Sequence, residues 1–218
     1  MPDCMIHNDD FRNLDMPKGL IITDPPYNID YKYDEYSDKL SDQDYISLIS
    51  AIPKPCVIIN YPEESMNYLP FALGKVDEVF CWIYETNTKK HHRLISFFGC
   101  KPDRSLLRRE SKYTDPRYDK DVASYDWWKV SRVTNTAHER TDHPCQIPEE
   151  IIKNILIVLN ADLKTTIIDP FLGSGTTGKV ALEMGYDFWG SEISPNYYNI
   201  AKKRLQYYQL PLIGLQNG

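Results

Sequence analysis

The stretch 165–178, Thr-Thr-Ile-Ile-Asp-Pro-Phe-Leu-Gly-Ser-Gly-Thr-Thr-Gly, constrains the fold more than any other part of the chain. A β-branched run enters a tight turn with closely spaced glycines and then a helix-like segment. Glycine lets backbone approach a ligand closely, and a helix start offers unpaired N–H groups. Around this unit, short β-branched or aromatic runs alternate with helix-like stretches, which predicts an α/β fold with a mainly parallel sheet and helices on both faces. Strands are predicted over 19–23, 56–60, 79–84, 94–98, 165–168 and 188–192. Helices are predicted over 42–52, 63–73, 148–159, 176–184 and 195–208, with Ser41 and Ser194 as N-caps and Pro195 at the first helical position. The 148–159 helix carries Ile151, Ile152, Ile155, Leu156 and Leu159 on one face, a core stripe. At 218 residues the chain suffices for one such domain.

Three ligands fit a loop of this kind. Gly173 to Lys179 spells the GxxxxGK of a nucleoside-triphosphate loop, but Val180 follows where a Ser or Thr would bind Mg²⁺. Gly173, Gly175 and Gly178 spell the GxGxxG of a dinucleotide site, with Glu192 placed 19 residues after Gly173 to hold ribose hydroxyls. S-adenosylmethionine also needs that acid, but it carries an ammonium and a sulfonium in place of a pyrophosphate. The loop alone leaves the last two open; Asp169, negative at the strand end, favours S-adenosylmethionine.

A second loop follows the strand at 19–23: Asp24-Pro25-Pro26-Tyr27-Asn28. The prolines stiffen it at the place where open α/β sheets put ligands. The Asp24 carboxylate and the Pro25 carbonyl are two acceptors for one NH₂ group, and they leave its lone pair free for attack. Tyr27 offers an aromatic face to an unstacked base. An Asp-Pro turn alone also serves a purely structural role; the tyrosine and the glycine loop in the same chain point to chemistry. Tyr31, Tyr33 and Tyr36 read as a lid or as a surface loop.

The net charge is −6, yet residues 87–140 carry thirteen Lys and Arg against seven Asp and Glu, a local +6 in a remainder of −12. Such a basic middle is either a solvated loop region or a surface that follows a phosphate backbone. On the second reading Lys89, Lys90, Arg93, Arg104, Arg108 and Arg109 are the contacts. Residues 101–140 lack sustained periodicity and read as an insertion with little regular structure. The five cysteines form no CxxC, and the His residues near Cys100 and Cys145 fit no zinc spacing, so no metal is expected. No apolar run reaches bilayer length and the N-terminus has no signal pattern, which places the chain in the cytoplasm.

These motifs, in this order, resemble the amino-methyltransferase family that modifies exocyclic nitrogens in DNA, in its permuted (beta-class) arrangement. There the catalytic loop precedes the cofactor loop; here Asp24 precedes Asp169 by 145 residues. Ile6-His7-Asn8-Asp9 is similar to the family's opening stretch, Asp24–Tyr27 to its catalytic loop, and His143-Pro144-Cys145-Gln146-Ile147-Pro148 to the segment before its first cofactor-side helix. Asp169–Thr177 resembles the cofactor loop, and Phe188–Ile193 with Tyr197 and Ala201 the ribose-binding strand and helix. Departures are Asn8 for a common Gly, Cys145 and Ile147 for common Thr and Lys, and His92-Arg93 for a common His-Glu pair.

The resemblance implies a Rossmann-like class I S-adenosylmethionine-dependent fold. Residues 1–100 would form the catalytic half, 101–142 a short target-recognition insertion, and 143–218 the cofactor half. It implies Asp9, Asp24, His143, Asp169, Phe171, Gly173, Ser174, Gly175, Thr176, Glu192 and Ile193 as cofactor contacts. It assigns Asp24, Pro25, Pro26 and Tyr27 to catalysis on a flipped-out base, with DNA as partner, no membrane, and a homodimer or a partner nuclease left open. Asp rather than Ser at position 24 goes with adenine N6 over cytosine N4. An RNA amino-methyltransferase, a non-catalytic subunit of a methyltransferase complex and, more distantly, an oxidoreductase remain alternatives.

Overall fold

The computed structural model describes residues 2–32, 38–86, 89–110, 121–134 and 137–209. Its strands in chain order are β1 (Cys4–His7), β2 (Gly19–Thr23), β3 (Cys56–Asn60), β4 (Glu78–Ile83), β5 (His92–Phe98), β6 (Arg108–Glu110), β7 (Asp121–Ala123), β8 (Trp127–Lys129), β9 (Thr166–Asp169) and β10 (Phe188–Ser191). Eight of them form one sheet in the order β1-β10-β9-β2-β3-β5-β4-β8. The first five run parallel, β5 is antiparallel to β3 and β4, and β8 is parallel to β4. β6 and β7 pair with each other outside this sheet.

Among the described residues six α-helices flank the sheet: α1 (Asp42–Ser50), α2 (Pro62–Asn67), α3 (Leu69–Leu73), α4 (Glu149–Leu159), α5 (Thr176–Glu183) and α6 (Pro195–Gln209). Central strands are buried on both faces and so read as unbroken apolar runs. Leu20 and Ile22 of β2, with Val57 and Ile59 of β3, pack under α4, α5 and α6 through Ile151, Ile155, Val180 and Leu205. Ile21 and Ile58 point the other way, to Tyr45 and Ile49 of α1 and Leu69 and Leu73 of α3.

Ser41 caps α1 by accepting from the Asp44 N–H, and the Tyr197 N–H reaches Ser194 Oγ at 3.4 Å at the start of α6. The helix expected over 63–73 is two helices. Pro70 lacks the N–H that a continuous helix needs, and Tyr68 at the junction leaves helical geometry. β1 was not expected. It is a four-residue edge strand with little burial, which pairs with β10 and so completes the side of the sheet built by residues 143–218. Residues 101–140 hold more order than their sequence suggests, in β6, β7, β8 and a single 3₁₀ turn, Arg104–Leu106. No helix among the described residues is long and apolar enough to cross a membrane.

Candidate active site

β2 and β9 are neighbours in the sheet, and the chain leaves them in opposite directions, β3 on one side and β10 on the other. A parallel sheet opens a crevice outside its strand ends at such a reversal. Here the crevice is a cleft of about 710 Å³. Asp24, the first residue past β2, and Asp169, the last of β9, both line it. Thr23 Oγ1 donates to Asp169 Oδ1 at 2.6 Å, a buried bond across 146 residues of sequence.

On the β9 side the glycine loop turns through left-handed geometry, φ +50° at Gly173 and +75° at Gly175, the latter capping α5. A side chain at 173 would meet more than backbone strain: its Cβ would stand 3.2 Å from His143 Nε2. His143 is buried edge-on against Tyr197 and lines the cleft. Glu192, buried at the end of β10, accepts from the Gly173 N–H at 2.8 Å and the Ser194 N–H at 2.9 Å. Each of its oxygens keeps a lone pair for a hydroxyl donor. Phe171 packs edge-on against Phe11, while Asp9 and Ile193 stand exposed at the rim.

Arg204 of α6, which sequence reasoning missed, braces the loop. It donates to the Ser174 carbonyl at 3.2 Å and Thr176 Oγ1 at 2.9 Å, and pairs with Glu149 at 2.6 Å. Lys179 is paired with Glu149 and Glu183 at 2.7 and 2.8 Å and is not part of the cleft wall, so it does not act as a phosphate-loop lysine.

On the β2 side, Tyr45 of α1 donates to the Pro26 carbonyl at 2.7 Å and so anchors the proline loop. Asp24 accepts from the Tyr27 hydroxyl on Oδ1, and Arg93 Nη1 stands 3.3 Å from Oδ2. Tyr27 therefore does not present the open stacking face expected of it. It is 8% exposed, with its ring edge-on to Tyr61 at 4.9 Å and the Arg93 guanidinium 5.1 Å over it.

Two carboxylates buried in one apolar-walled cleft hold protons more tightly than they would in water. Burial pushes Asp24 up to about 6; Arg93 and the Tyr27 hydrogen bond oppose the rise and the Asp169 charge adds to it. Burial likewise raises Asp169 to about 6 against its bonds from Thr23, Thr177 and the Phe171 N–H. Glu192 is raised by burial and held back by the Ser194 and Gly173 N–H groups.

The six basic residues proposed from sequence separate into three places. Lys89 is exposed and Lys90 half-exposed in the β4–β5 turn, both at the cleft mouth, with Lys90 4.2 Å over the Tyr61 ring and paired with Glu63. Arg93 is 3% exposed inside the cleft, which removes it from the surface contacts. Arg104 lies toward the opposite end of the strands. β5 runs against β3, so Phe98 sits beside Cys56 at the start of that strand, and the Asp103 N–H bonds to the Val158 carbonyl at the far end of α4.

Arg108 and Arg109 belong to the β6–β7 pair tied to the same end by the Ser124 N–H, shared between the Arg104 and Leu107 carbonyls; Arg109 covers the Tyr125 ring at 3.6 Å. None of these three lines the cleft. Arg132, which sequence reasoning passed over, is at the cleft instead. Tyr31 is at its mouth, while Tyr33 and Tyr36 lie outside the described residues. Among the described residues no group of three or more His, Cys, Asp or Glu is placed to hold a metal.

Comparison with known proteins agrees with this geometry. The chain is 25% identical to the DNA adenine methyltransferase YhdJ of Escherichia coli, over 85% of this chain and 75% of that protein. It is 26% identical to the type II methyltransferase M.BglII of Bacillus subtilis, over 90% of this chain and 67% of that protein. Among solved structures it resembles the PvuII DNA methyltransferase (cytosine-N4-specific) with a TM-score of 0.68, 15% identity and coverage of 97% and 88%. It resembles the M1.HpyAVI–SAM complex with a TM-score of 0.61, 20% identity and coverage of 93% and 98%. These likenesses show a Rossmann-like methyltransferase fold. A sequence model described as N6_N4_Mtase, DNA methylase, matches residues 52–203, which include the glycine loop and Glu192; the chain belongs to this DNA methylase family.

Proposed function

We propose that this protein transfers a methyl group from S-adenosylmethionine to the exocyclic N6 of adenine in DNA, on a base turned out of the helix. The observation that carries the reading is the meeting of Asp24 and Asp169 at one strand reversal, within a single cleft. The donor set suits S-adenosylmethionine. Asp169 brings negative charge for an ammonium and a sulfonium, Glu192 keeps acceptor capacity for ribose hydroxyls, and the glycine loop brings backbone close without a phosphate-binding lysine. Phe171 and Ile193 supply apolar walls, with His143 under the loop and Ser174 and Thr176 beside it.

When bound, S-adenosylmethionine would supply an electrophilic methyl group, its sulfonium sulfur keeping the electron pair of the carbon–sulfur bond as the neutral thioether. The chain's own work is on the nitrogen. Asp24 and the Pro25 carbonyl accept the two N–H groups of the base, turning the lone pair toward the methyl and stabilising the positive charge that grows on nitrogen. Asp24, with its proton affinity near neutrality, takes up the proton which the methylated nitrogen sheds. A base reaching Asp24 replaces the Tyr27 hydroxyl on Oδ1, and the freed Tyr27 ring then stacks on it.

Adenine is favoured by Asp at position 24 and by the likeness to YhdJ, named an adenine enzyme. Cytosine N4 is the second reading, favoured by the fold likeness to the PvuII enzyme. The test is transfer of labelled methyl to duplex DNA and to RNA. Label should enter DNA with wild-type protein and fall at least about 100-fold with Asp24→Ala. Undiminished label with Asp24→Ala would overturn the mechanism, and label in RNA alone would overturn the substrate.

A further inference from the structure

Arg93 is an unusual residue to find in this cleft. It lies on β5 opposite Trp82, and its guanidinium is 5.1 Å from the Tyr27 ring, 5.3 Å from Tyr61 and 5.2 Å from Trp82, with Asp24 as its ion-pair partner. Its Nε is buried and has no hydrogen-bond partner among the described residues. A buried charge kept only for stability would be fully bonded, and an ion pair of this kind is a weak stabiliser beside an apolar pair of equal volume. The arrangement makes sense if the guanidinium serves the carboxylate it touches.

We infer that Arg93 is a positioning residue for methyl transfer: held in a box of Tyr27, Tyr61 and Trp82, it fixes the Asp24 carboxylate through Oδ2 and leaves Oδ1 for the amino group of the base. The inference rests on the proposed amino-methyltransferase reading and adds to it a residue outside the Asp24–Tyr27 loop. Among the described residues the charged and titratable groups around Asp24 are Arg93, Tyr27, Asp169, Tyr45 and Cys145, with Tyr61 and Tyr84 beyond Arg93. Arg93 is the one cation among them. Without it only the Tyr27 hydrogen bond opposes burial and the Asp169 charge, both of which favour the protonated acid. A protonated Asp24 presents an O–H where the amino group needs an acceptor.

The experiment is the pH dependence of kcat for methylation of unmethylated plasmid DNA by the full chain, as wild type, Arg93→Lys, Arg93→Met and Asp24→Asn/Arg93→Met. S-adenosylmethionine affinity is measured by calorimetry for each. Wild type should lose activity on the acid side near pH 6. Arg93→Met should move that limb upward by a pH unit or more and lower kcat at pH 7 at least tenfold, with recovery above pH 8 and cofactor affinity within threefold of wild type. Arg93→Lys should restore the limb most of the way. In an Asp24→Asn background Arg93→Met should cost little further activity, because the arginine acts through the carboxylate.

An unmoved limb in a folded, cofactor-binding Arg93→Met protein overturns the inference. If Arg93→Met alone does not fold, the double variant, which neutralises both partners, decides: folding with the activity of Asp24→Asn supports the positioning role, and failure to fold makes Arg93 structural. Absence of methyl transfer by wild type would instead remove the proposed function itself.

Discussion

Asp24 and Asp169 sit in one apolar-walled cleft with proton affinities lifted to about 6, so the site holds back charge that it releases to a cationic ligand. For Asp169 the sign is definite. Its folded-state value lies above the ordinary 3.8, so the stability this gives the protein is present at low pH and lost as pH rises through about 6. Asp169→Asn keeps an acceptor for Thr23 and the Phe171 N–H without the buried charge. It should raise the stability of the ligand-free protein at pH 7.5 by about 2 kcal/mol and weaken cofactor binding at the same time. The gain should fade as pH falls through about 6; thermal melts across pH 5–8 read it, and a destabilised variant at pH 7.5 would contradict it.

Residue roles set by local chain order were legible in the sequence, because Asp24–Tyr27 and Asp169–Thr176 act from single loops. Arg93 was not. In sequence it is one more cation in a basic stretch, and its burial depends on Tyr27, Tyr61 and Trp82, which arrive from three separate parts of the chain.

At the scale of elements, Lys89 and Lys90 before β5 and the described residues 103–110 and 121–124 after it lie toward opposite ends of the strands although both belong to the basic middle. Charge counting along the chain cannot separate them, because β5 reverses direction and carries the following residues away from the cleft. DNA held for chemistry at Asp24 should therefore engage Lys89 and Lys90. A Lys89→Ala/Lys90→Ala variant should lower the slope of log affinity against log salt by one to two, whereas Arg104→Ala/Arg108→Ala should leave it unchanged. The reverse pattern in DNA-binding titrations would return the contact surface to the far end of the strands. Strands β2 and β3 were readable to the residue because burial on both faces writes an unbroken apolar run. β1 escaped notice since an edge strand with one lightly buried face writes no pattern, and the α2–α3 break was signalled by Pro70 and overlooked.

Across the whole molecule, the sheet joins two stretches distant in sequence so that the catalytic loop after β2 and the cofactor loop after β9 open on the same side. Sheet adjacency, not sequence adjacency, makes them one site. That the loops come in this order was visible in the sequence; that β1 closes the far side of the cofactor half was not, because pairing with β10 is a contact across more than 180 residues. The same architecture serves adenine and cytosine, so the product identifies the base. DNA methylated by the wild-type protein should be digested to nucleosides and separated by mass spectrometry. N6-methyladenine should be the main product and should vanish with Asp24→Ala. N4-methylcytosine would overturn the base assignment alone, and a methyl group on a ring carbon would contradict direct transfer to an amino nitrogen.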